Sequence, residues 1–194
     1  MNSHGDWART QRGRVLSKVE EGLGLSLLTK VLGLLAMAVL VVGLILLMQG
    51  YLARSFLIPS GSMEPTLLSG DRVLTTPLVY DFRDPARGDV VVFNSSAFAG
   101  AVLIKRVVAV AGDTVEVRNG VLYVNGERQK EKYLLDPAMD TDFPKTLVPA
   151  GDLFVMGDNR NDSEDSRIFG PVSKKDVIGK ALAVWWPFWH LHGL

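Results

Sequence analysis

Cysteine is absent from the 194-residue chain, which excludes disulfides, thiol nucleophiles and cysteine-based zinc sites. Histidine is scarce, with 3 residues that all lie near the termini, so a Ser-His-Asp arrangement is possible only through His190 or His192. An excess of either charge is also missing, because 21 basic residues balance 21 acidic ones. Without a basic excess we expect no nucleic-acid partner, and the sequence predicts no cofactor and no metal.

Charged residues are also missing from residues 31–48, which are nearly all apolar. As a helix this run would be about 27 Å long, close to the hydrocarbon thickness of a bilayer. It is too long and too uniformly apolar for a buried core helix. A removable signal peptide would have a shorter apolar region nearer the N-terminus and a small-residue exit, which Tyr51-Leu52-Ala53 lacks. We therefore predict a permanent transmembrane anchor over residues 23–50.

The basic residues around this anchor predict its orientation. Only Arg54 follows the apolar run closely, whereas five basic residues precede it: Arg9, Arg12, Arg14, Lys18 and Lys30. By the positive-inside rule, residues 1–22 are then a cytoplasmic segment and residues 51–194 lie on the outer side of the membrane.

The pattern of residues 51–194 is typical of one mainly β domain. Seven short runs are rich in β-branched residues and predict strands: residues 73–74, 90–93, 102–110, 115–117, 121–124, 153–156 and 177–184. Four Gly-Asp pairs precede such runs, as turns do, and two Asn-Gly pairs at positions 119 and 125 predict tight hairpins. Residues 136–149 are polar and contain proline, so we expect a loop there.

Ser60-Gly61-Ser62 follows an extended apolar run that ends at Pro59. Proline fixes its own φ and favours an extended Ile58, whereas Gly61 lets the backbone turn. The run would therefore end an edge strand on a hydroxyl, as suits a nucleophile. The alternative is an ordinary Ser/Gly/Pro turn, which such a stretch forms more often.

Lys105 and Arg106 lie inside the apolar run of residues 102–110. In a strand their side chains point to opposite faces, so we expect one of the two cations to face an apolar surface. Arginine does not lose its proton in a protein, so only Lys105 could be a general base. Burial lowers a lysine pKa, and lowering it to about 8 would cost roughly 3 kcal/mol. The alternative is a lysine whose stem is buried and whose amine reaches solvent.

Residues 157–167 are almost wholly polar. Taken alone, this stretch is typical of a solvated loop. It nevertheless alternates acids with arginines, and bidentate Asp–Arg pairs could brace a shaped loop. Its serines could also hydrogen-bond a neutral amine.

The C-terminal run Trp185-Trp186-Pro187-Phe188-Trp189 is rich in aromatic residues. Two interpretations are open from the sequence. The run could be a last strand that covers the core, or an apolar rim that contacts lipid headgroups, where tryptophan is favoured.

Together these segments resemble the bacterial type I signal peptidases. The resemblance covers the anchor and essentially the whole outer domain. It rests on four segments that follow in order behind a single N-terminal span: residues 60–67, Gly70-Asp71 with the strand after it, residues 88–93 with 104–108, and residues 157–167. Each segment alone would be weak, whereas the ordered set is specific.

The resemblance implies a signal-peptidase-like β catalytic domain behind one transmembrane helix. Such a protein is a single-pass protein of the bacterial cytoplasmic (inner or plasma) membrane, and it removes signal peptides from exported preproteins after an Ala-x-Ala-like site. Ser62 would be the nucleophile and Lys105 the general base. Ser60 would supply a hydroxyl to the oxyanion hole beside the backbone N–H of Ser62, and Ser163 would hold the Lys105 amine.

The same resemblance implies a frame around these residues. Asp158 with Arg160, and Asp165 with Arg167, would be structural braces. Two shallow apolar pockets would read small side chains at the first and third positions before the cut. Their expected lining is Phe56, Ile58, Pro59, Met63, Leu67, Val73, Val92, Leu103 and Ile104.

The chain departs from the family pattern in two places. Residues 109–113 read AVAGD where the family usually has Gly-x-Pro-Gly-Asp, which affects a turn. The segment between Asp113 and Asp152 is short, so we expect the compact form without the large extra β lobe of some members.

The implied partners are signal peptides and membrane lipid, the latter through the anchor and the aromatic run. Two other classes of function are open. One is a non-catalytic anchored β domain that binds exported chains. The other is a self-cleaving repressor with a related Ser/Lys domain, which would need an N-terminal DNA-binding domain; the apolar span and the balanced charge argue against one.

Overall fold

The computed structural model describes residues 27–46, 53–136 and 138–194. The chain divides into two compact units between Met48 and Gln49. The predicted cytoplasmic segment, residues 1–22, and both ends of the predicted anchor lie outside the described residues.

The first unit contains helix α1, Leu27–Leu46, all of whose described residues are exposed. Of the helices in the described residues, it alone is long and apolar enough to cross a membrane. An exposed apolar surface of this length is unfavourable in water, whereas hydrocarbon accommodates a helix because its backbone groups are paired internally. A helix is therefore present where the sequence predicts one, and its length and composition fit a membrane span.

The second unit is a β domain, which confirms the predicted fold class. Its described strands are β1 (Arg54–Leu57), β2 (Arg72–Thr76), β3 (Val90–Ser95), β4 (Ala101–Val110), β5 (Thr114–Arg118), β6 (Val121–Val124), β7 (Glu127–Arg128), β8 (Phe143–Leu147), β9 (Asp152–Met156), β10 (Val172–Ser173), β11 (Val177–Trp186) and β12 (His192–Gly193). Two one-turn helices are α2 (Val79–Phe82) and α3 (Ser166–Phe169), and short 3-10 turns are Ser96–Phe98, Lys174–Asp176 and Phe188–His190.

The strands form two antiparallel sheets. The larger has the order β1-β2-β11-β3-β4-β9-β10, with β12 paired to β11, and the smaller has the order β7-β6-β5-β8. All seven predicted strands are confirmed. Strand β1 lies at the edge of the larger sheet, as predicted for the apolar run before Ser60.

The predicted turns are confirmed by the backbone. Asn119-Gly120 joins β5 to β6, and Asn125-Gly126 joins β6 to β7. All four of these residues have positive φ, as a type I′ hairpin turn requires. The glycines of the four predicted Gly-Asp turns also have positive φ, between 85 and 94°.

The prediction that residues 136–149 form a loop is wrong in part, because these residues contain strand β8. Thr146 of β8 pairs with Val115 of β5, and Phe143 contacts Phe154 with ring centroids 5.3 Å apart. Pro144 lacks an N–H to donate, but β8 lies at the edge of its sheet, where proline is tolerated. The strand is stabilised by these distant partners, which its own polar sequence does not reveal.

A buried apolar cluster lies beneath the Ser60-Gly61-Ser62 segment. Its members come from the residue after β1, from the turn after Ser62 and from three strands of the larger sheet: Ile58, Met63, Leu67, Val73, Val90, Ala181 and Val184. The segment is therefore anchored to the core on one side.

Candidate active site

The segment from Ile58 to Asp71, here called the seryl loop, is closed at its base. The Ile58 N–H donates to the Asp71 carbonyl (2.9 Å), and the Gly70 N–H donates to the Ile58 carbonyl (2.8 Å). Within the loop, the Leu67 N–H donates to the Met63 carbonyl (2.9 Å), which forms a helical turn whose apolar side chains are buried. Ser62 thus sits at a fixed corner.

Lys105 meets Ser62 from β4. Its Nζ donates to Ser62 Oγ over 2.6 Å, and the lysine side chain is buried, with the residue only 3% exposed. The two residues are 43 positions apart in the chain, and the antiparallel pairing of β4 with β3 brings the amine to the end of the edge strand. The hydroxyl and amine singled out in the sequence are therefore in direct contact.

The surroundings of Lys105 favour its neutral form. Burial lowers the pKa of the amine to about 8, and Asp165 offsets this effect only in part, since Arg167 acts in the opposite direction. Near pH 8 about half of such amines are unprotonated. Arg106, on the opposite face of the strand, is also buried.

Arg106 is buried because it pairs with Asp158. Its Nε and Nη2 donate to the two carboxylate oxygens of Asp158 over 2.8 and 2.7 Å, and its guanidinium stacks 3.9 Å from the centre of the Tyr133 ring. The Thr66 hydroxyl donates to the same carboxylate over 2.6 Å. One buried acid therefore joins the seryl loop to the strand that carries Lys105.

The predicted pairing of Asp158 with Arg160 is not formed. Arg160 instead donates to both carboxylate oxygens of Glu131, over 2.7 and 2.5 Å, and to the Gly157 carbonyl. The sequence suggested Arg160 as the partner because it is close to Asp158 in the chain, whereas the sequence does not show that Arg106 lies beside Asp158 in the fold.

The other predicted pair, Asp165 with Arg167, is present with two contacts of 2.8 Å. The carboxylate also accepts from the Gly157 N–H (3.1 Å), and Arg167 donates to the Arg160 carbonyl (2.7 Å). Asp165 therefore holds both ends of the polar segment 157–167.

Ser163 does not hold the Lys105 amine as expected. Its Oγ is buried and has no hydrogen-bond partner in the described part of the chain. It lies against the backbone of Gly157: a Cβ at that position would overlap Ser163 Oγ, Ser163 Cβ and the Ser62 carbonyl. The missing side chain at Gly157 thus allows the polar segment to approach the nucleophile's backbone.

Asn159 is a site residue to which sequence reasoning assigned no role. Its backbone N–H donates to the Ser62 carbonyl (3.1 Å), and its side-chain amide donates to the Gly61 carbonyl (3.2 Å). Two adjacent carbonyls are thereby turned toward the polar segment. In the sequence, only the position of Asn159 within the polar segment 157–167 could have indicated that it belongs to the site.

An apolar cavity of about 150 Å³ lies on one side of the Ser62–Lys105 contact. Six predicted pocket residues line it: Phe56, Ile58, Pro59, Val92, Leu103 and Ile104. Leu57 and Val102 also line it and were missed. The expectation is wrong for three residues, since Met63, Leu67 and Val73 are fully buried in the core cluster and do not reach the cavity.

A larger cavity of about 610 Å³ shares the Ser62–Lys105 contact. Asn161, Asp162, Ser163 and Glu164 line its polar wall, and Phe98 and Ile168 are among its apolar residues. Ser60 borders both cavities. Among the described residues, neither Ser60 Oγ nor the backbone N–H of Ser62 has a hydrogen-bond partner, so both donors are available at the contact.

The two C-terminal histidines do not form a Ser-His-Asp arrangement. His190 Nδ1 lies 2.9 Å from Asp71 Oδ2, and His192 Nε2 lies 2.9 Å from the Thr66 carbonyl. In the described residues, neither ring hydrogen-bonds Ser62. No three histidine or acidic side chains in these residues are grouped as metal ligands would be.

The aromatic run does not cover the core. Phe188 and Trp189 are 64% and 85% exposed, and Trp185 and Trp186 are each 39% exposed. The interpretation as a core-covering strand is therefore wrong, although Trp185 and Trp186 belong to β11.

The β fold, with a serine at a strand end and a buried amine in contact with it, is an arrangement suited to a peptidase. Comparison of the sequence with known families narrows this class. The profile described as "Signal peptidase, peptidase S26" matches residues 31–186, and the chain belongs to this family.

Several curated proteins are similar to the chain. A probable signal peptidase I-1 of Synechocystis sp. is 41% identical over 151 residues, which covers 74% of this chain and 76% of that protein. Signal peptidase I of Mycobacterium tuberculosis (strain H37Rv) is 36% identical over 208 residues, covering 78% and 71%. Thylakoidal processing peptidase 1 of Arabidopsis thaliana is 40% identical over 152 residues, covering 73% of this chain and 44% of that longer protein.

A solved structure is also similar. A crystal structure of a signal peptidase I from Enterococcus faecalis V583 aligns with 50% of this chain and 97% of that chain, at 33% identity and a TM-score of 0.44. The family match and the curated relatives confirm the predicted resemblance to type I signal peptidases.

Proposed function

We propose that this protein removes N-terminal signal peptides from exported preproteins, with Ser62 as the nucleophile and Lys105 as the general base. The observation that carries the proposal is the 2.6 Å hydrogen bond between Lys105 Nζ and Ser62 Oγ. A neutral amine at this distance can take the hydroxyl proton, and the low pKa of Lys105 provides that neutral form near pH 8.

The reaction proceeds in two halves. Ser62 Oγ attacks the carbonyl carbon of the scissile bond while Lys105 takes its proton. The resulting ammonium then gives that proton to the leaving amine, and the C–N bond breaks to leave an ester on Ser62. In the second half the neutral amine takes a proton from a water molecule, whose oxygen attacks the ester. The bond from the carbonyl carbon to Ser62 Oγ then breaks, the Lys105 ammonium returns the proton to Ser62 Oγ, and the cleaved peptide leaves with a carboxylate end.

Two donors beside the nucleophile stabilise the tetrahedral intermediate. These are the backbone N–H of Ser62 and the hydroxyl of Ser60, which have no other partner among the described residues. Loss of one such donor removes about 3 kcal/mol of transition-state stabilisation.

The substrate binds as an extended strand between two open sheet edges. Strand β1 pairs only with β2, and residues 101–105 of β4 pair with β3 but not with β9. Backbone hydrogen bonds to such edges give affinity, and side-chain pockets give specificity. The apolar cavity of about 150 Å³ beside the nucleophile would receive an apolar side chain of the substrate, in agreement with the Ala-x-Ala-like site that the resemblance implies.

Membrane attachment places this chemistry at a bilayer. Helix α1 is the anchor, and the basic residues before it put the β domain, residues 51–194, on the outer face of a bacterial cytoplasmic membrane. The exposed aromatic residues Trp185, Trp186, Phe188 and Trp189 are suited to contact lipid headgroups, where aromatic rings are favoured.

The test replaces Ser62 in the full chain, in detergent micelles, with a preprotein and an Ala-x-Ala peptide as substrates. We expect Ser62→Ala to lower kcat/KM by at least about 1,000-fold, as removal of a serine nucleophile does. Ser96→Ala is the matched control, because Ser96 is exposed and lines neither cavity, so the substitution should leave the rate unchanged. Cleavage that survives Ser62→Ala would favour the alternative, an anchored domain that only binds exported chains.

A further inference from the structure

The C-terminal segment, residues 188–194, lies against the seryl loop, although the proposed chemistry uses none of its side chains. It contacts the loop through His190, His192 and Leu194. We propose that this segment positions the nucleophile, and that His192 is its principal positioning residue.

His192 joins the segment to the turn that follows Ser62. Its Nε2 lies 2.9 Å from the Thr66 carbonyl, and its Nδ1 lies 3.0 Å from the His190 carbonyl. Both neighbours are carbonyl oxygens, which only accept, and a neutral imidazole has a single N–H, so the ring donates to one of them at a time. The proposal places that N–H on Nε2, where it donates to the Thr66 carbonyl. The Thr66 carbonyl is thereby fixed by a group outside the loop.

Thr66 is held from a second direction as well. Its hydroxyl donates to Asp158, which is paired with Arg106, the neighbour of Lys105 on β4. The carbonyl of this residue is thus fixed by the C-terminal segment and its hydroxyl by the strand that carries the base. Through Thr66, the segment helps to set the position of Ser62 relative to Lys105.

Two further contacts hold the segment in place. His190 Nδ1 lies 2.9 Å from Asp71 Oδ2, and the same oxygen accepts from the Leu68 N–H over 2.8 Å. Leu194 packs against the apolar cluster under the loop, and its N–H donates to the Leu182 carbonyl (2.9 Å). The segment therefore spans the loop from its base to its core-facing turn.

Small displacements of the loop matter because the Ser62 Oγ to Lys105 Nζ distance is already that of a short hydrogen bond. A shift of about 1 Å at a reacting group can reduce a rate about 100-fold. Because the inference rests on the proposed Ser/Lys chemistry, its test must separate a failure of positioning from a failure of that chemistry.

The experiment compares three variants of the full chain, His192→Gln, His192→Asn and His192→Ala, on the Ala-x-Ala peptide in detergent micelles. A glutamine amide reaches about as far as Nε2 and can still donate to Thr66, whereas an asparagine amide reaches only about as far as Nδ1. We expect the Ala and Asn variants to lose kcat about fivefold, the effect of one hydrogen bond, with KM unchanged. The Gln variant should keep at least half of the wild-type kcat.

Leu191→Ala is the matched control, since Leu191 lies between the two histidines, is 57% exposed and should leave kcat and KM unchanged. Equal kcat values for the Gln and Asn variants would overturn the inference, as would a rise in KM at constant kcat. If the Ala variant does not fold, the comparison of the kcat values of the Gln and Asn variants still tests the positioning role of His192. If Ser62→Ala is active, the proposed function is overturned. If Ser62→Ala is inactive and all three His192 variants are fully active, only the positioning role of His192 is overturned.

Discussion

Lys105→Met replaces the buried amine by an apolar side chain of similar length. We expect the variant to be inactive but more stable than the wild type at pH 7. The reason is that burial lowers the pKa of Lys105 from 10.5 to about 8, so at pH 7 the folded protein holds an ammonium in a site that disfavours it.

The size of the gain follows from that pKa. A difference of about 2.5 pKa units corresponds to roughly 3 kcal/mol of unfavourable free energy in the folded state. The substitution also removes the hydrogen bond to Ser62 Oγ, which contributes about 1 kcal/mol. The net gain in the free energy of unfolding should therefore be about 2 kcal/mol at pH 7.

The gain should depend on pH in one direction. Below pH 8 the lysine is charged in both the folded and unfolded states, so the wild type carries the full penalty. Between about pH 8 and 10.5 the folded protein binds fewer protons than the unfolded chain, so wild-type stability rises with pH. The advantage of the methionine variant should accordingly shrink over that range and disappear at about pH 10, where the remaining charge penalty equals the lost hydrogen bond.

The measurement is denaturant unfolding of the full chain in detergent at pH 7 and pH 10. Lys175→Met is the matched control, because Lys175 is exposed and its substitution should change stability by less than about 0.5 kcal/mol at either pH. A methionine variant that is less stable than the wild type at pH 7, or whose gain is the same at pH 10, would refute the reasoning.

Three other predictions follow from the site. The cleavage rate should rise about tenfold between pH 7 and pH 9 as the Lys105 amine, with a pKa of about 8, loses its proton; a rate that follows a group titrating near pH 6.5 would contradict this. Gly157→Ala should lower the Tm strongly and abolish cleavage, because its Cβ would overlap the Ser62 carbonyl, whereas Gly61→Ala would meet only the flexible Glu64 carboxylate and should lower the Tm far less. Asp158→Asn should destabilise the fold by about 3–5 kcal/mol, because it leaves the buried Arg106 without its counter-charge. The control is Asp162→Asn at an exposed position, which should change the free energy of unfolding by less than about 0.5 kcal/mol. Equal effects of the two substitutions in urea unfolding would exclude a buried ion pair.

The parts of the fold that the sequence predicted are those specified by neighbouring residues. Asn119-Gly120 requires two positive φ values in a row, and only a few residue pairs adopt them readily. Runs of β-branched residues likewise predict strands wherever they occur. Strand β8 was missed because its stability comes from pairing with β5 and from the Phe143–Phe154 contact, both of which join distant parts of the chain.

The ion pairs show the same limit at the site. Asp165 and Arg167 are two residues apart, and their pairing could be predicted from the spacing. Asp158 pairs with Arg106 across 52 residues, and Arg160 with Glu131 across 29. Spacing in the chain favours a partner nearby, whereas the pairing in space depends on which strands become neighbours.

The residues predicted to line the pocket fall into two groups, those that line the apolar cavity and those that are buried in the core, for a related reason. Ile58 and Leu103 end up at open strand edges and line the apolar cavity, while Met63 and Leu67 turn inward on the helical turn after Ser62. All four are apolar, so composition cannot separate a residue that lines a pocket from one that supports it. The direction of the side chain, which the turn sets, makes the difference.

These ion pairs also affect the charge of Lys105, the one buried lysine among the described residues. Arg106, Arg160 and Arg167 each contact a carboxylate through two hydrogen bonds. Among the described residues, Lys105 Nζ has only the Ser62 hydroxyl as a hydrogen-bond partner. The opposing effects of Asp165 and Arg167 leave desolvation as the dominant influence on its pKa. Because those carboxylates are already engaged with arginines, their stabilisation of the Lys105 ammonium is partly cancelled. The braces therefore have two effects: they shape the loop around Ser62, and they keep negative charge from restoring the ordinary pKa of the base.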